Sequence, residues 1–373
     1  MSRCSLTPLA VLSALALVAA DAEATPRYAM KVGQKCNLCH ANPTGGGQRD
    51  PYATQYLLPT RLAMQLEGKE PAGHDPMLGE NVTIGADLRT FFLRSTANGG
   101  RENFVEMQGS LYLKLQPDPR FAAYIHQDFG PRGFAEAWEV FGIAYVLPAT
   151  GYAKVGRFVP AFGWKVTDHR SFTRRETVWL PGFPPHSDTG VEVGLNPKSF
   201  ELNASVVNGA AQSAFDVDQQ LAFVGRGAWR GGTSTVNVAA GGSYYYNDRT
   251  GEVFQAWGPF AGLRFGRLTW LGEFDWTRSD PTTSPRVSAF TTANEVSFEV
   301  VQGVDVFGAY DFHDPDVDVQ SGSVQRVGGG LDALPYPFLA VRAAGHWYVV
   351  DEPPQGASGL PLDLTDEFRE GHV

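Results

Sequence analysis

Cysteine is nearly missing from this chain, with three in 373 residues. The first, Cys4, lies in a leader: Met1–Arg3 carries positive charge, Leu6–Ala20 is apolar, and Ala22-Glu23-Ala24 supplies a small-residue cleavage site. Residues 1–24 therefore read as a signal peptide, and the exported chain from Thr25 keeps only Cys36 and Cys39. No disulfide framework can staple it, so it must build its own core or be solvated by a membrane. Long hydrophobic runs are missing too. The leader run falls short of the roughly 18–20 residues that span a bilayer, and no later run reaches that length, which excludes a helical membrane span. An excess of positive charge is also absent. Asp and Glu total 40 against 30 Lys and Arg, for a formal charge of −10. That balance argues against nucleic acid as a partner, because polyphosphate selects basic surfaces.

What is present points to strands. The chain holds 42 Gly, 24 Phe, 13 Tyr and 8 Trp, and its mean hydropathy is only −0.20. A Gly-rich, aromatic-rich, weakly polar exported chain suits a transmembrane β-barrel, whose lipid face is hidden in alternation. From about Asn81 the hydrophobic period is two. In 104–115 the odd positions Val105, Met107, Gly109, Leu111, Leu113 and Leu115 alternate with Phe104, Glu106, Gln108, Ser110, Tyr112 and Lys114. The same pattern recurs in 268–276, 304–312 and 339–349. One face suits lipid and the other a polar lumen. Turn clusters such as Asn98-Gly99-Gly100, Asp118-Pro119, Asn196-Pro197 and Asp314-Pro315 punctuate about fifteen such segments. They begin near 82, 103, 120, 135, 151, 188, 199, 219, 234, 253, 267, 287, 304, 324 and 338. The expectation is an all-β antiparallel barrel of 14–16 strands over residues 80–373, with an even count preferred. A soluble β-sandwich alternates in the same way and is the competing fold.

Two stretches break the pattern. Residues 163–187 are long and non-alternating, with Trp164, His169, Arg170, Arg174, Arg175, Trp179 and His186. They read as a large external loop or as one folded inward. The end of the chain, from Asp366, starts like a strand and then stops, as a short closing strand or a truncated one would.

The chemistry is concentrated in residues 25–79. Cys36-Asn37-Leu38-Cys39-His40 is the attachment signature of a c-type haem. Two cysteines at this spacing can form thioethers to one porphyrin, and the adjacent His40 is the proximal iron ligand. Half a zinc site is an alternative reading, with a carboxylate or His74 as fourth ligand. A thioredoxin-like pair would need a βαβ setting that is missing. Gly45-Gly46-Gly47 is not a phosphate loop, since no Gly-Lys-Ser/Thr follows, and reads as a turn or a close approach of backbone to the cofactor. A helix is expected after Pro59. The distal ligand stays open among Met64, His74 and Met77, with Met30 upstream. Methionine there would raise the reduction potential relative to histidine, though each of these also has an ordinary packing or linker role. His126 and His346 fall on the lumen register. Glu106, Glu273, Asp275, Glu295, Glu299, Asp305 and Asp311 also point inward by alternation; an acidic lumen would concentrate cations, and a solvated lumen countered by Lys114 and Arg342 is the equal alternative.

The stretch from Ala24 to His40 resembles the outer-membrane monohaem cytochrome–porin fusions of iron-oxidising bacteria. Ala24, Pro26, Ala29, Gly33, Cys36, Cys39 and His40 match that family's spacing, and Tyr28 stands where it has Phe. Met30 and Val32 replace its Arg and Thr, and Pro43-Thr44-Gly45-Gly46-Gly47 departs from its pattern. The resemblance implies a haem c segment plugging its own outer-membrane barrel. It also implies electron transfer from an extracellular partner such as Fe(II) to a periplasmic c-type cytochrome. A porin whose haem segment is a structural or sensory plug, and a soluble periplasmic haem protein, are the other expectations.

Overall fold

The computed structural model describes residues 26–65, 73–95, 101–129, 138–166, 171–174, 187–210 and 220–351. The leader, the last residues from Asp366, and His169, Arg170, Arg175, Trp179 and His186 lie outside the described residues.

Fifteen strands among the described residues form one antiparallel sheet in strictly sequential order. They are β1 (Val82–Ser95), β2 (Arg101–Asp118), β3 (Phe121–Asp128), β4 (Glu139–Leu147) and β5 (Gly151–Phe158). Next come β6 (Asp188–Leu195), β7 (Phe200–Val207), β8 (Ala222–Gly232), β9 (Val236–Arg249) and β10 (Glu252–Phe265). The sheet ends with β11 (Leu268–Pro281), β12 (Val287–Val301), β13 (Val304–Asp314), β14 (Val324–Tyr336) and β15 (Leu339–Val350). A sandwich would divide its strands between two facing sheets; a single meander of this length is a barrel wall, and the sandwich reading is set aside. No helix among the described residues is long and apolar enough to cross a membrane.

Alternation sets the two faces. On β13, Val306 and Tyr310 point out and are exposed, while Asp305, Phe307 and Asp311 point in and are buried. On β11, Leu268 and Trp276 are outward and Thr269, Leu271, Glu273 and Asp275 inward. The outer wall is thus a belt of large apolar side chains, including Leu88, Leu111, Val155, Leu331 and Trp347. Such a surface is stable only against lipid.

β2 departs from simple alternation. Arg89 of β1 pairs with Gln108, but Thr90 pairs with Glu106, so the register skips one residue at Met107. A bulge of this kind reverses which face each later residue takes. Gln108, Ser110, Tyr112 and Lys114 are buried inside as expected, whereas Phe104 and Glu106 are exposed. Glu106 is therefore not part of the lumen.

The lumen is filled rather than open. Tyr112, Tyr124, Phe141, Phe158, Phe162, Tyr245 and Phe254 form a buried aromatic cluster inside the barrel. The rest is occupied by the N-terminal segment, residues 26–65. Its side chains bond to inward-facing residues of β2, β4, β12, β13 and β14, and its backbone to Tyr124 of β3 and Asn237 of β9, which places it within the ring of strands.

Helix α1 (Pro26–Val32) opens this segment. Pro26 suits a first helical position, where no N–H is required. Gly33 stops it with φ of +65°, and Asn237 of β9 caps the carbonyl of Met30 at 3.0 Å. The second helix, Tyr52–Leu62, is of the wide π form and contains Pro59 instead of following it. The C-terminal carbonyls around the proline find other donors. Thr60 Oγ1 donates to Tyr56 O at 2.7 Å, Ala63 N to Leu58 O at 2.8 Å and Gln65 Nε2 to Pro59 O at 3.0 Å. Leu57, Leu58 and Leu62 bury their side chains against Leu334 and Ala340 of the wall.

Candidate functional site

Cys36–Leu38 form one tight helical turn after α1, with His40 N donating to Cys36 O at 3.1 Å. The chain then doubles back. Ala41 N bonds Gln48 O, Asp50 N bonds Cys39 O and Gly45 N bonds Asn42 O. This hairpin turns through Gly45, Gly46 and Gly47, all at positive φ (+87°, +81° and +60°). A Cβ on Gly47 would stand 2.4 Å from the Tyr124 hydroxyl, and one on Gly45 would meet the Cys36 side chain. The three glycines thus allow both a left-handed turn and a close approach to the wall.

Cys36, Cys39 and His40 all line one partly open cavity. One side is the N-terminal segment, with Tyr28, Ala53, Leu57 and Leu62. The other is the inward loop after β5, Ala161–Lys165, together with Arg226 and Arg230 of β8. The loop is pinned there by Trp164. Its backbone N–H donates to Glu273 at 2.9 Å, its indole N–H reaches Gly272 O and Ala261 O at 3.2 Å, and its ring packs edge-on to Phe260. Of the two readings for residues 163–187, the inward fold holds for the part described.

The site's electrostatics are one-sided. Among the described residues five basic side chains line the cavity (Lys35, Arg49, Lys165, Arg226 and Arg230) and no carboxylate does. Burial, with Arg49 and Lys165 adding, brings the His40 imidazole down to about 4, so it is neutral and its lone pair is free. His40 Nδ1 is buried without a hydrogen-bond partner. Burial pushes the Cys39 thiol up to about 12 and the Cys36 thiol upward as well, so both stay protonated. Burial lowers Lys165 to about 8, which leaves it largely charged at neutral pH. Its Nζ donates to Thr44 Oγ1 at 2.8 Å and Gly45 O at 3.3 Å, tying the inward loop to the glycine hairpin.

These features match the demands of a c-type haem: two adjacent thiols, a neutral buried imidazole with an unused nitrogen, and apolar walls rimmed by cations for an anionic ring. They do not match zinc. Among the described residues no group of three or more His, Cys, Asp and Glu side chains comes together, and His74 is exposed outside the cavity wall. They do not match a reactive dithiol either, which needs lowered rather than raised thiol pKa values.

The structure separates the distal candidates from the cavity. Met64 lies beside Gly303 at the β12–β13 turn. The sulfur of Met77 accepts from Thr83 Oγ1 at 3.4 Å, and His74 is exposed. Met30 is buried with Trp164, Phe260 and Leu271. His126 bonds Ser110 at 3.2 Å and faces Glu139 at 3.8 Å. His346 lies on β15 and, with these, is absent from the cavity wall. Among the described residues the wall holds one histidine, His40, and no methionine.

The acidic lumen has a use that the sequence did not disclose. Arg27 pairs with Glu295 of β12 at 3.2 Å and with Asp332 of β14. Lys31 pairs with Glu299 at 3.3 Å and Asp305 at 2.6 Å. Asp311 is paired with Arg326 at 2.6 Å. Four of the expected inward carboxylates therefore hold α1 or balance the wall, and the reading of a free acidic funnel is corrected to that extent. The signal available in the sequence was Arg27 and Lys31 four apart, on one face of a short helix.

The chain matches no family model and no curated protein sequence. Its fold is similar to solved outer-membrane barrels. OmpT of Vibrio cholerae superposes with a TM-score of 0.52 at 10% identity, covering 72% of this chain and 89% of that one. Pseudomonas putida OprB gives 0.50 at 11% identity, covering 71% and 86%. The fold is that of an outer-membrane porin. At these identities the likeness shows architecture alone, and the cavity chemistry rests on this chain's own residues.

Proposed function

We propose that the chain is an outer-membrane electron conduit carrying one haem c inside its own barrel. In this reading Cys36 and Cys39 hold the ring covalently and His40 is the proximal iron ligand. The observation that carries it is the convergence of these three residues on one apolar, cation-rimmed cavity in the middle of a barrel. When bound, the haem supplies one-electron chemistry between ferrous and ferric iron. The protein's own residues supply the rest. The glycine hairpin presents His40, the neutral imidazole donates its lone pair, and α1, the π-helix and the inward loop keep lipid and bulk water from the ring. A barrel is needed because unsatisfied backbone cannot sit in hydrocarbon. The short turns gather where the N-terminal segment is anchored, through Lys35 to Asn196 O and Gln302 to Ala63 O. That end is periplasmic by the usual asymmetry of such barrels. The inward loop comes from the opposite end, so the two walls of the cavity face the two compartments.

The electron partners are an extracellular donor, Fe(II) by resemblance, and a periplasmic c-type cytochrome. An absorption spectrum of the outer-membrane fraction, with and without Fe(II), tests haem, location and donor together. Reduced haem bands on Fe(II) addition are expected. Haem that stays oxidised at every pH tried would remove Fe(II) as donor.

One observation favours a second reading, a porin whose haem segment is a structural plug: residues 26–65 fill the lumen and are clamped by buried ion pairs. Conductance of the reconstituted barrel separates the two. A conduit shows little solute flux and a measurable potential; a plugged porin shows flux that His40→Ala leaves unchanged.

A further inference from the structure

Two arginines on the inward face of β8 line the cavity together. Arg226 Nη1 and Arg230 Nε both reach the same carboxylate, Glu201 of β7, at 3.4 and 3.2 Å. Their side chains are about nine-tenths buried, at 9% and 10% exposure. Lys35, the third cation at this corner, donates only to backbone carbonyls, Phe200 O at 2.8 Å and Asn196 O at 3.1 Å. Lys35 is half-buried and open to water, so the buried charges are the two arginines, which share the single bonded carboxylate of Glu201 while Glu273 also acts on Arg226. Arg230 Nη2 is buried without a hydrogen-bond partner, while its Nη1 has only the sulfur of Met30 at 3.8 Å. Both guanidinium groups lie over aromatic rings, Arg226 over Phe260 at 4.6 Å and Arg230 over Trp164 at 5.3 Å. Stacking fixes their planes but neutralises nothing. A buried cation with an unpaired donor is costly, so a corner of this kind is completed by an anion.

We propose that Arg226 and Arg230, with Lys35 at the rim, form the subsite for a carboxylate of a porphyrin. The assignment rests on the haem reading above and specifies how the ring is oriented in its cavity. Arg226 Nε is held by Gly163 O at 3.0 Å, which leaves Arg230 Nη2 as the buried donor without a partner and suited to a charge-assisted bond to a carboxylate, and all three cations line the same cavity as Cys36, Cys39 and His40. Glu201 then acts as the spacer that keeps the two arginines apart. The other two lining cations are less suited. Lys165 is already bonded to the glycine hairpin, and Arg49 lies on the hairpin itself, paired with His40 and away from the arginine corner.

The test uses the full-length protein purified with its haem attached. Resonance Raman spectra report the carboxylate bending modes of the porphyrin, and redox titration reports the midpoint potential. R226Q and R230Q are expected to shift the bending modes and lower the potential, by about tenfold in the redox equilibrium, or about 59 mV for a one-electron couple. R230K is expected to recover part of the potential. R49Q is expected to leave the bending modes in place. E201Q keeps both arginines and removes the competing anion, so it is expected to raise the potential. Bending modes unchanged in both arginine variants, or shifted in R49Q alone, would overturn the subsite. Should neither arginine variant yield folded barrel, E201Q decides: carboxylate bending modes shifted by the freed arginine donors support the subsite, and unchanged ones overturn it. A wild-type protein with no covalent haem band is a different failure, since it removes the haem reading itself.

Discussion

The barrel wall and the segment inside it follow different rules. In the wall, one property repeated every second residue determines nearly everything. A strand needs only apolar out and compatible in, and many substitutions satisfy that. In residues 26–65, individual atoms matter: Gly47 against the Tyr124 hydroxyl, Asn237 on the end of α1, Arg27 between two carboxylates. The wall is redundant and the segment is not, so mutations should separate them.

The largest expected effect comes from the motif. His40→Ala or Cys36→Ser should abolish or sharply reduce the haem absorbance of the purified protein while leaving its heat-modifiable migration, a marker of the folded barrel, intact. Loss of the barrel together with the haem would break the distinction. Next is the clamp. Arg27→Gln leaves Asp332 and Glu295 short of a partner in a buried setting, which is expected to cost about 3–5 kcal/mol. Limited proteolysis should then cut within residues 26–65 before it cuts any strand. On the wall, Val306→Arg places a charge on the lipid face and should lower barrel stability by about 2–4 kcal/mol if the site is near the midplane, less near an interface. Urea unfolding in lipid vesicles measures it. Glu106→Ala, on the exposed side of the bulge, should change stability by less than about 0.5 kcal/mol.

The smallest effect is a pH dependence. Lys165 in the folded protein titrates at about 8, below its ordinary 10.5. Its positive charge near the cavity is present below that value and lost as the pH rises through it, which favours the ferric form. The midpoint potential should therefore fall across pH 8, and Lys165→Met should flatten that fall. The unfolded chain binds the extra proton between pH 8 and 10.5, so this group lowers stability as the pH drops through that window and not as it rises.

The wall was readable in advance. Strand starts expected at 82, 151, 188, 287, 304 and 324 coincide with the first residues of β1, β5, β6, β12, β13 and β14. Period-two alternation and turn residues are local signals, and a meander pairs each strand with its neighbour in sequence, so local signals suffice. The miss on β2 has a local cause as well: a one-residue bulge at Met107 leaves no gap in the pattern, yet turns Phe104 and Glu106 outward. In the inner segment the motif marked three residues that meet at one cavity, but not their surroundings. Cys36, Cys39 and His40 were legible because their spacing is chemical. Arg226, Arg230 and Lys165 were not, because they reach the cavity from 120 or more residues away. Only the closed barrel brings them there. The distal candidates were chosen by proximity in sequence, and the folded chain carries all three elsewhere.

The clamp on α1 has a bearing on how the molecule is put together. Arg27 and Lys31 lie near the start of the chain, and their partners lie 268 to 305 positions later, on β12, β13 and β14. The counter-charges do not exist in place until the last strands have joined the sheet. Until then the segment lacks these anchors. In the folded chain Cys36 and Cys39 line a cavity between the segment and the inward loop. Insertion of the final strands thus works as a lock on the segment.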